Sequence, residues 1–162
     1  MTSSSGEFPS TPVTRALDEL GLPYRLFMHE RPPRSVEAAA AERNQKPEQV
    51  VRSLLFRLSE GEFIMVLVAG PDQVDWALLR HYVGQSRLTT ASREEVLEAT
   101  GYPLGAVAPL GLPQPLRIIV DRSLLSQEEI SLGSGVRGLA VIMQARDLLQ
   151  AIEPVEFADL VK

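Results

Sequence analysis

The chain has 162 residues, 44% of them hydrophobic, and a formal net charge of −5 at pH 7. This length and apolar content suit one packed domain and exclude a disordered chain. The sequence has no cysteine and only two histidines, which excludes disulfides, thiolate nucleophiles and cysteine-based metal sites. The longest apolar run, residues 63–69, is too short to span a membrane, and the N-terminus does not read as a signal peptide. We therefore expect a soluble cytoplasmic protein.

Capping residues, helical spacing and β-prone runs predict the elements of the first half. Residues 1–9 are small and polar and are expected to form a disordered tail. The predicted elements are a helix over 12–20, a strand over 24–28, a helix over 36–43, a turn from Pro47, and a hairpin of strands 51–58 and 62–69 joined by 59–61. The second hairpin strand is apolar on both faces, which is typical of a strand covered on both sides.

The second half predicts three helices and three strands around a stretch rich in glycine and proline. Asp72 is expected to cap a helix that continues to Gly84, and Ser92 with Glu95 forms a capping box before a second helix. Residues 101–115 predict no regular element. The remaining predicted elements are strands over 116–120, 130–132 and 139–143, a helix over 145–152 and a short closing segment from residue 154.

Helices and antiparallel hairpins are intermingled, without the strict alternation of strand and helix that marks a doubly wound sheet. The predicted fold class is therefore α+β, with a single compact domain over residues 10–162. Its central sheet is expected to be mixed and largely antiparallel, with helices flanking it.

Residues 133–138 read GSGVRG, which matches the GxGxxG pattern of dinucleotide-binding loops. That pattern binds a pyrophosphate only when a helix follows the glycines, and residues 139–143 are instead apolar and β-prone. We therefore predict a tight turn between two strands. Its backbone N–H groups could hold a carboxylate, a phosphate or an ester carbonyl, although a plain hairpin is the simpler interpretation.

Two other features are candidates for a site. Arg52 lies near the start of a strand that is mostly apolar on both faces, where an unpaired charge is unfavourable. The sequence leaves two alternatives open: Arg52 forms an ion pair with an acidic residue, or it awaits an anionic ligand. The loop over 101–111 either brings its backbone close to a ligand or is a rigid crossover that covers one end of the sheet.

The two histidines, His29 and His81, show no metal-binding spacing, so neither a metal site nor a cofactor is expected. His29 follows a strand and could belong to a site at a loop mouth, although a loop histidine is more often solvated. His81 lies on a predicted helix and is expected to be structural. Catalysis by an ordinary side-chain nucleophile is poorly supported, since no nucleophile elbow, Walker loop or Ser/His/Asp order is present.

Four runs occur in order along the chain: PEQVVRSLLFRL, FIMVLVAG, TGYPLGAVAPLG and SLGSGVRGLAV. This order resembles the YbaK/prolyl-tRNA synthetase-associated editing domains, aminoacyl-tRNA deacylases that remove a wrongly attached small amino acid from tRNA. The resemblance covers residues 10–160 and combines a Gly-x-x-x-Pro loop, a glycine turn and a basic residue that opens a central strand. It implies a mixed sheet with flanking helices and a pocket for the 3′-terminal aminoacyl-adenosine.

The resemblance also implies site residues. In the family, the backbone of the Gly-x-x-x-Pro loop and of the glycine turn lines the aminoacyl pocket, and a loop histidine belongs to the site. The matching residues here are Gly105, Ala106 and Pro109, Gly133, Ser134 and Gly135, and His29. The family's chemistry is thought to rely on a positioned water or a ribose hydroxyl of the tRNA, with the ester polarised by backbone groups.

Two positions depart from the family pattern: Arg52 stands where the family has a lysine, and Ala140 where relatives often carry a carboxylate. Arginine keeps the positive charge but cannot accept a proton. The leading hypothesis is a free-standing trans-editing hydrolase with Arg52 as its catalytic residue, acting on a small amino acid such as Cys or Ala on tRNA(Pro). The alternatives are a non-catalytic tRNA- or synthetase-binding module of the same fold, and a sensor of a free amino acid or nucleotide.

The expected partners are the 3′ aminoacyl end of tRNA and, as a further option, an aminoacyl-tRNA synthetase, with no membrane and no metal. Residues 25–57 contain seven Lys or Arg and four Glu, a local charge of +3 within an acidic chain. A small positive face is enough for the tRNA end, so we expect weak, salt-sensitive binding. The same charges could instead be solvated helix residues.

Overall fold

Local capping and turn residues set the boundaries of the helices and strands in this computed structural model. It describes residues 8–58 and 61–161, so most of the predicted tail over 1–9 and positions 59 and 60 of the predicted hairpin turn lie outside the described residues. The elements are α1 (Pro12–Leu20), β1 (Arg25–Met28), α2 (Val36–Glu42), β2 (Val51–Leu58), β3 (Phe63–Ala69), α3 (Trp76–Val83), β4 (Leu88–Thr90), α4 (Arg93–Thr100), β5 (Arg117–Asp121), β6 (Glu129–Gly133), β7 (Leu139–Gln144), α5 (Ala145–Ala151) and β8 (Glu156–Ala158). None of the helices in this part of the chain has the length and apolar content needed to cross a membrane.

The caps of α1 and α4 confirm two of the predicted helix ends. The Thr14 amide donates to Thr11 Oγ1 at 3.1 Å, and Gly21 ends α1 in the left-handed conformation with a φ of 69°. At α4, the Ser92 amide donates to Glu95 Oε1 at 2.8 Å, and the Glu95 amide donates to Ser92 Oγ at 3.1 Å. These side chains satisfy backbone groups that a helix end leaves unpaired, so the sequence signal and the structure agree.

The predicted cap of α3 is wrong. Asp75, not Asp72, accepts the hydrogen bond from the Leu78 amide, at 3.0 Å. The preceding residue, Val74, forms an antiparallel bridge with Val161 and is therefore held outside the helix. Tertiary pairing thus moves the start of the helix to the second of two aspartates that could each cap it.

The strands form two sheets rather than the one central sheet expected from the sequence. The five-stranded sheet has the order β4-β2-β3-β5-β8, and the three-stranded sheet has the order β1-β7-β6. Pairs β3–β5 and β5–β8 are parallel, and the other four are antiparallel. The α+β class and the mixed, largely antiparallel pairing are therefore confirmed.

One hydrophobic core joins the two sheets. It contains Leu67 and Val120 from the five-stranded sheet and Ile130 and Val141 from the three-stranded sheet. A second apolar cluster covers the other face of the five-stranded sheet, where helix α3 lies. Strand β3 is consequently buried on both faces, as its sequence predicts, and residues 64–68 are each at most 1% exposed.

The GSGVRG segment is a turn between two antiparallel strands, as predicted. Strand β6 ends at Gly133 and β7 begins at Leu139, with Gly133 paired opposite Ala140. A strand follows the glycines instead of a helix, so this segment lacks the helix N-terminus that a dinucleotide site requires.

Candidate functional site

A cavity of about 430 Å³ lies where the two sheets meet. Strands β2 and β6 approach each other there, since Val50 and Ser131 form a parallel bridge. The cavity walls come from the segment before and at the start of α2, the start of β2, the glycine/proline loop around residues 104–107 and the β6–β7 turn. Four segments that are distant in sequence therefore converge on one space.

The glycine/proline loop and the β6–β7 turn are packed directly against each other. A Cβ atom at Gly133 would clash with the Val107 carbonyl oxygen, so only glycine permits this approach. The Gly135 amide donates to the Ala106 carbonyl at 3.0 Å. The two segments that the family resemblance implicates thus form one continuous wall.

Arg52 lines the cavity together with Gly105 and Gly133. Its Nε donates to the Gly70 carbonyl at 2.9 Å, and its Nη2 donates to the Asp72 carbonyl. Burial lowers the pKa of Arg52, and the charge of Asp72 partly counteracts this effect. Two of the five guanidinium N–H groups are used in these bonds, so three remain for a ligand.

Neither alternative left open by the sequence describes Arg52 fully. Among the described residues, no carboxylate lies within ion-pair distance of its guanidinium, yet backbone carbonyls already hold the group in place. The side chain is a positioned cation: it is fixed on one side by the chain segment after β3 and borders the cavity on the other.

Five predicted substrate-binding residues, His29 among them, lie outside the lining of this cavity. Ala106 is 1% exposed, and Ser134 is buried with its Oγ donating to the Leu139 carbonyl at 2.6 Å. Gly135 faces the ring of a buried tyrosine, and Pro109 borders a different cavity near the end of α5. The structure therefore gives Ala106, Ser134 and Gly135 a supporting position behind the wall, and their contact with substrate stays a prediction.

His29 also lies behind the wall and is not the solvated loop residue that the sequence favours. It is 4% exposed, and its ring borders Phe27 edge-to-face with the centroids 4.9 Å apart. Its Nδ1 lies 2.7 Å from Glu42 Oε1, and its Nε2 accepts a hydrogen bond from Arg43 Nε at 3.0 Å. Because the Arg43 Nε–H can only donate, Nε2 is the acceptor, and the contact with Glu42 assigns Nδ1 as the donor.

Sequence reasoning did not single out Arg43, which lines the cavity and connects His29 to the three-stranded sheet. Its Nη1 donates to Ser131 Oγ at 2.8 Å, and that hydroxyl donates to Gln45 Oε1 at 2.6 Å. Burial lowers the pKa of Arg43 to about 10, against the opposing effect of Glu42. A usable signal existed: Arg43 follows the apolar Ala39 by four residues, so at the end of α2, where it is the C-cap, it lies on the side of the helix that carries Ala39.

The lining of the cavity is positively charged. Arg34, Arg43, Arg52 and Arg137 all border it, and its lining within the described chain includes no Asp or Glu. Four arginines around one cavity, two of them partly buried, favour an anionic ligand when no carboxylate belongs to the described lining. Only Arg52 of these four was singled out from the sequence.

A second, more apolar cavity of about 240 Å³ adjoins the first. Trp76 and Phe56 border it, with their rings edge-to-face at a centroid distance of 5.3 Å. Ser53 lines both cavities, and its Oγ is buried without a hydrogen-bond partner. Leu104 and Val107 likewise border both, so one loop separates the two spaces.

This set of groups suits the binding of an anion and the polarisation of a carbonyl. The cavity presents arginine N–H donors and closely packed backbone, and His29 has both ring nitrogens in use. Across residues 8–58 and 61–161, no cluster of three or more His, Asp or Glu could hold a metal ion.

Comparison with known proteins places the chain among editing domains. The family model described as "Aminoacyl-tRNA editing domain" matches residues 30–151. The proline–tRNA ligase of Kosmotoga olearia is 38% identical over 88 residues, which are 54% of this chain and 15% of the ligase. That of Streptococcus pneumoniae strain Hungary19A-6 is 30% identical over 105 residues, which are 65% of this chain and 17% of the ligase. The chain thus matches less than a fifth of these relatives.

Solved structures share the fold over nearly the whole chain. A candidate trans-editing enzyme for prolyl-tRNA synthetase has a TM-score of 0.83 and 29% identity, covering 93% of this chain and 95% of its own. A hypothetical protein has a TM-score of 0.84 and 28% identity, covering 94% of this chain and 100% of its own. A candidate signal transduction protein of Marinobacter aquaeolei, at 19% identity and a TM-score of 0.69, covers 95% of this chain and 31% of its own and shares the fold alone.

Proposed function

Because the chain belongs to the aminoacyl-tRNA editing domain family, as its resemblance predicts, we propose that it is a trans-editing deacylase that hydrolyses the ester of a mischarged tRNA. The observation that carries this proposal is the arginine-lined cavity enclosed by the glycine/proline loop and the β6–β7 turn. The likeness to proline–tRNA ligases supports Cys or Ala on tRNA(Pro) as the first substrates to test.

The reaction joins a water oxygen to the carbonyl carbon of the amino acid and breaks the bond between that carbon and the ribose oxygen. Negative charge develops on the carbonyl oxygen, and the ribose oxygen leaves with a proton, giving a free amino acid and tRNA. Arg52 stays protonated and cannot act as the base, so its proposed role is electrostatic. The attacking water is positioned by the cavity or by the neighbouring ribose hydroxyl.

We also propose the bounds of the domain, its partners and its location. The editing domain occupies residues 10–162, which extends the matched range of 30–151 to include α1 and β8. Its partner is the 3′ aminoacyl end of tRNA, with a synthetase as a second partner, and it works in the cytoplasm, where tRNA is charged.

A non-catalytic tRNA- or synthetase-binding module is the second candidate, and two observations favour it. Two donors of Arg52 are already bound to the carbonyls of Gly70 and Asp72. Ala140, where relatives often have a carboxylate, is 1% exposed and offers no polar group. Such a module keeps the cavity and binds tRNA without turnover.

Deacylation of a small panel of mischarged tRNAs, starting with Cys-tRNA(Pro) and Ala-tRNA(Pro), distinguishes the two candidates. For an enzyme, we expect Arg52→Ala to lower kcat roughly 10²- to 10³-fold, the usual effect of removing one donor that stabilises developing charge. Arg52→Lys keeps the charge and should retain part of the activity.

Arg146→Ala is the matched control, because it removes an exposed arginine on α5 away from the three cavities. Thermal unfolding of each variant shows whether a loss of activity follows a loss of fold. If the wild type is no faster than buffer on every substrate and Arg52→Lys gains activity, the protein is the binding module.

A further inference from the structure

Two exposed arginines at the mouth of the cavity have no partner. Arg34 and Arg137 both line it, and neither forms an ion pair or hydrogen bond with any described residue. Some exposed arginines elsewhere are paired, such as Arg57 with Glu95 at 3.1 Å and Arg117 with a carboxylate at 2.7 Å, and others, such as Arg146, are not. What distinguishes Arg34 and Arg137 is that both border the cavity with their donors unused.

The segments that carry these arginines touch each other. The His29 amide donates to the Gly138 carbonyl at 2.8 Å, and a Cβ at Gly138 would lie 3.8 Å from Pro32 Cγ. Arg34 lies two residues after Pro32, and Arg137 is next to Gly138, which takes part in both contacts. The two arginines are therefore on adjoining segments of the cavity lining.

Charge continues from the rim into the cavity. Arg43 and Arg52 lie deeper, and burial lowers the pKa of each, which shows that water solvates these cations poorly. No carboxylate among the described lining residues neutralises them. A ligand with several separated negative charges, one of them at the rim, matches this arrangement better than a single small anion does.

We propose that Arg34 and Arg137 bind the backbone phosphates of a single-stranded RNA 3′ end, leaving the cavity itself to the terminal nucleoside and its ester. This inference rests on the proposed function, because it takes the RNA to be the end of tRNA. Arginine suits the role, since its planar guanidinium can donate two parallel hydrogen bonds to a phosphate. Arg34 and Arg137, on neighbouring segments, would each bind one of two consecutive phosphates along the strand.

Binding of fluorescently labelled, uncharged tRNA at several salt concentrations tests the inference. For the double variant Arg34→Ala/Arg137→Ala, we expect Kd to rise about tenfold and the slope of log K against log salt to become shallower by about 1.4, from two lost contacts to a single strand. Arg146→Ala removes the same kind of charge elsewhere and should leave the slope unchanged.

Hydrolysis of two substrates gives a second measurement. The double variant should lose more kcat/KM on aminoacyl-tRNA than on alanyl-adenosine, which has the ester but no phosphodiester. An unchanged salt slope, an equal effect of Arg146→Ala, or no salt-dependent binding by the wild type would each overturn the inference.

The outcomes separate this inference from the proposed function. If the wild type hydrolyses mischarged tRNA and the double variant keeps the full salt slope, the proposed enzyme is supported and the phosphate-binding role of Arg34 and Arg137 is contradicted. If the wild type shows no turnover and the salt slope still becomes shallower in the double variant, the phosphate-binding role is supported and the proposed enzyme is contradicted.

Discussion

At position 52 an arginine makes a set of contacts that a lysine could not make together. Nε and Nη2 reach the carbonyls of Gly70 and Asp72, while the rest of the guanidinium borders the cavity. A lysine ammonium places all three donors on one nitrogen, so it could not hold these two carbonyls and also extend a planar face. Relative to the lysine that the family resemblance implies at this position, Arg52 keeps the positive charge and spreads its donors over a planar group.

We predict that His29 is a positioning residue for Arg43, because its Nε2 accepts the hydrogen bond from Arg43 Nε. Its replacement by alanine leaves Arg43 Nε without an acceptor and opens a small void, which should lower the free energy of unfolding by about 1–3 kcal/mol. We also expect weaker tRNA binding, measured by fluorescence anisotropy alongside urea unfolding, because Arg43 would no longer be held at the cavity wall.

His29→Gln and His81→Ala are the matched variants. Glutamine can accept from Arg43 and donate to Glu42, so it should recover part of the binding, which a purely structural role would not require. His81 is exposed, and its removal should change stability by less than about 0.5 kcal/mol. Full tRNA affinity in His29→Ala would contradict the positioning role.

Among the elements, the glycine/proline loop and the β6–β7 turn depend on each other for their shape. Gly133 has ordinary extended backbone at the end of β6, so its requirement for glycine comes from the neighbouring Val107 carbonyl and not from its own φ. The cavity wall thus depends on the absence of one methyl group.

Gly133→Ala should therefore destabilise the protein by about 1–3 kcal/mol, the range for overpacking a filled site, and reduce deacylation as the loop moves away. Gly21→Ala is the comparison, since a Cβ there meets open space and only the left-handed φ of 69° opposes it; its effect should be about 1 kcal/mol without loss of activity. The melting temperature and the turnover are measured together for both variants. A Gly133→Ala variant that matched the wild type in both would contradict this account.

In the molecule as a whole, the shared core makes the two sheets one cooperative unit. Urea unfolding followed by far-UV circular dichroism and by the fluorescence of Trp76, the only tryptophan, should give the same midpoint. Ile130→Ala, in the three-stranded sheet, should lower the stability that Trp76 reports from the five-stranded sheet by about 2–5 kcal/mol. Separate midpoints for the two signals would show that the sheets unfold independently.

Much of the fold follows from local sequence. β2 occupies Val51–Leu58 and α1 occupies Pro12–Leu20, both as predicted, because a long apolar run and a strong cap decide them locally. β4 and β8 could not be found in this way. Each has three residues at a sheet edge, and its strand conformation depends on a neighbour distant in sequence.

The residues of the site likewise include some that the sequence predicts and some that it does not. Gly105, Gly133 and Arg52 follow from motifs in the sequence, and the structure brings them to one cavity. The contact of His29 with Arg43, and of Arg43 with Ser131, joins an early loop and helix to a strand of the three-stranded sheet. No periodicity in the sequence predicts such a contact, because it exists only after the sheet has formed.

The position of Leu104 and Val107 between the two cavities has a consequence for how such a protein can diverge. Since Leu104 borders both spaces, a larger side chain at this position should reduce the volume available beside it, and a smaller one should increase it. The arginines that attract the ligand are untouched by such an exchange. The volume beside the loop and the positive charge of the lining therefore depend on different residues, so a substitution at position 104 should change the size of group that fits without changing the charge that attracts it.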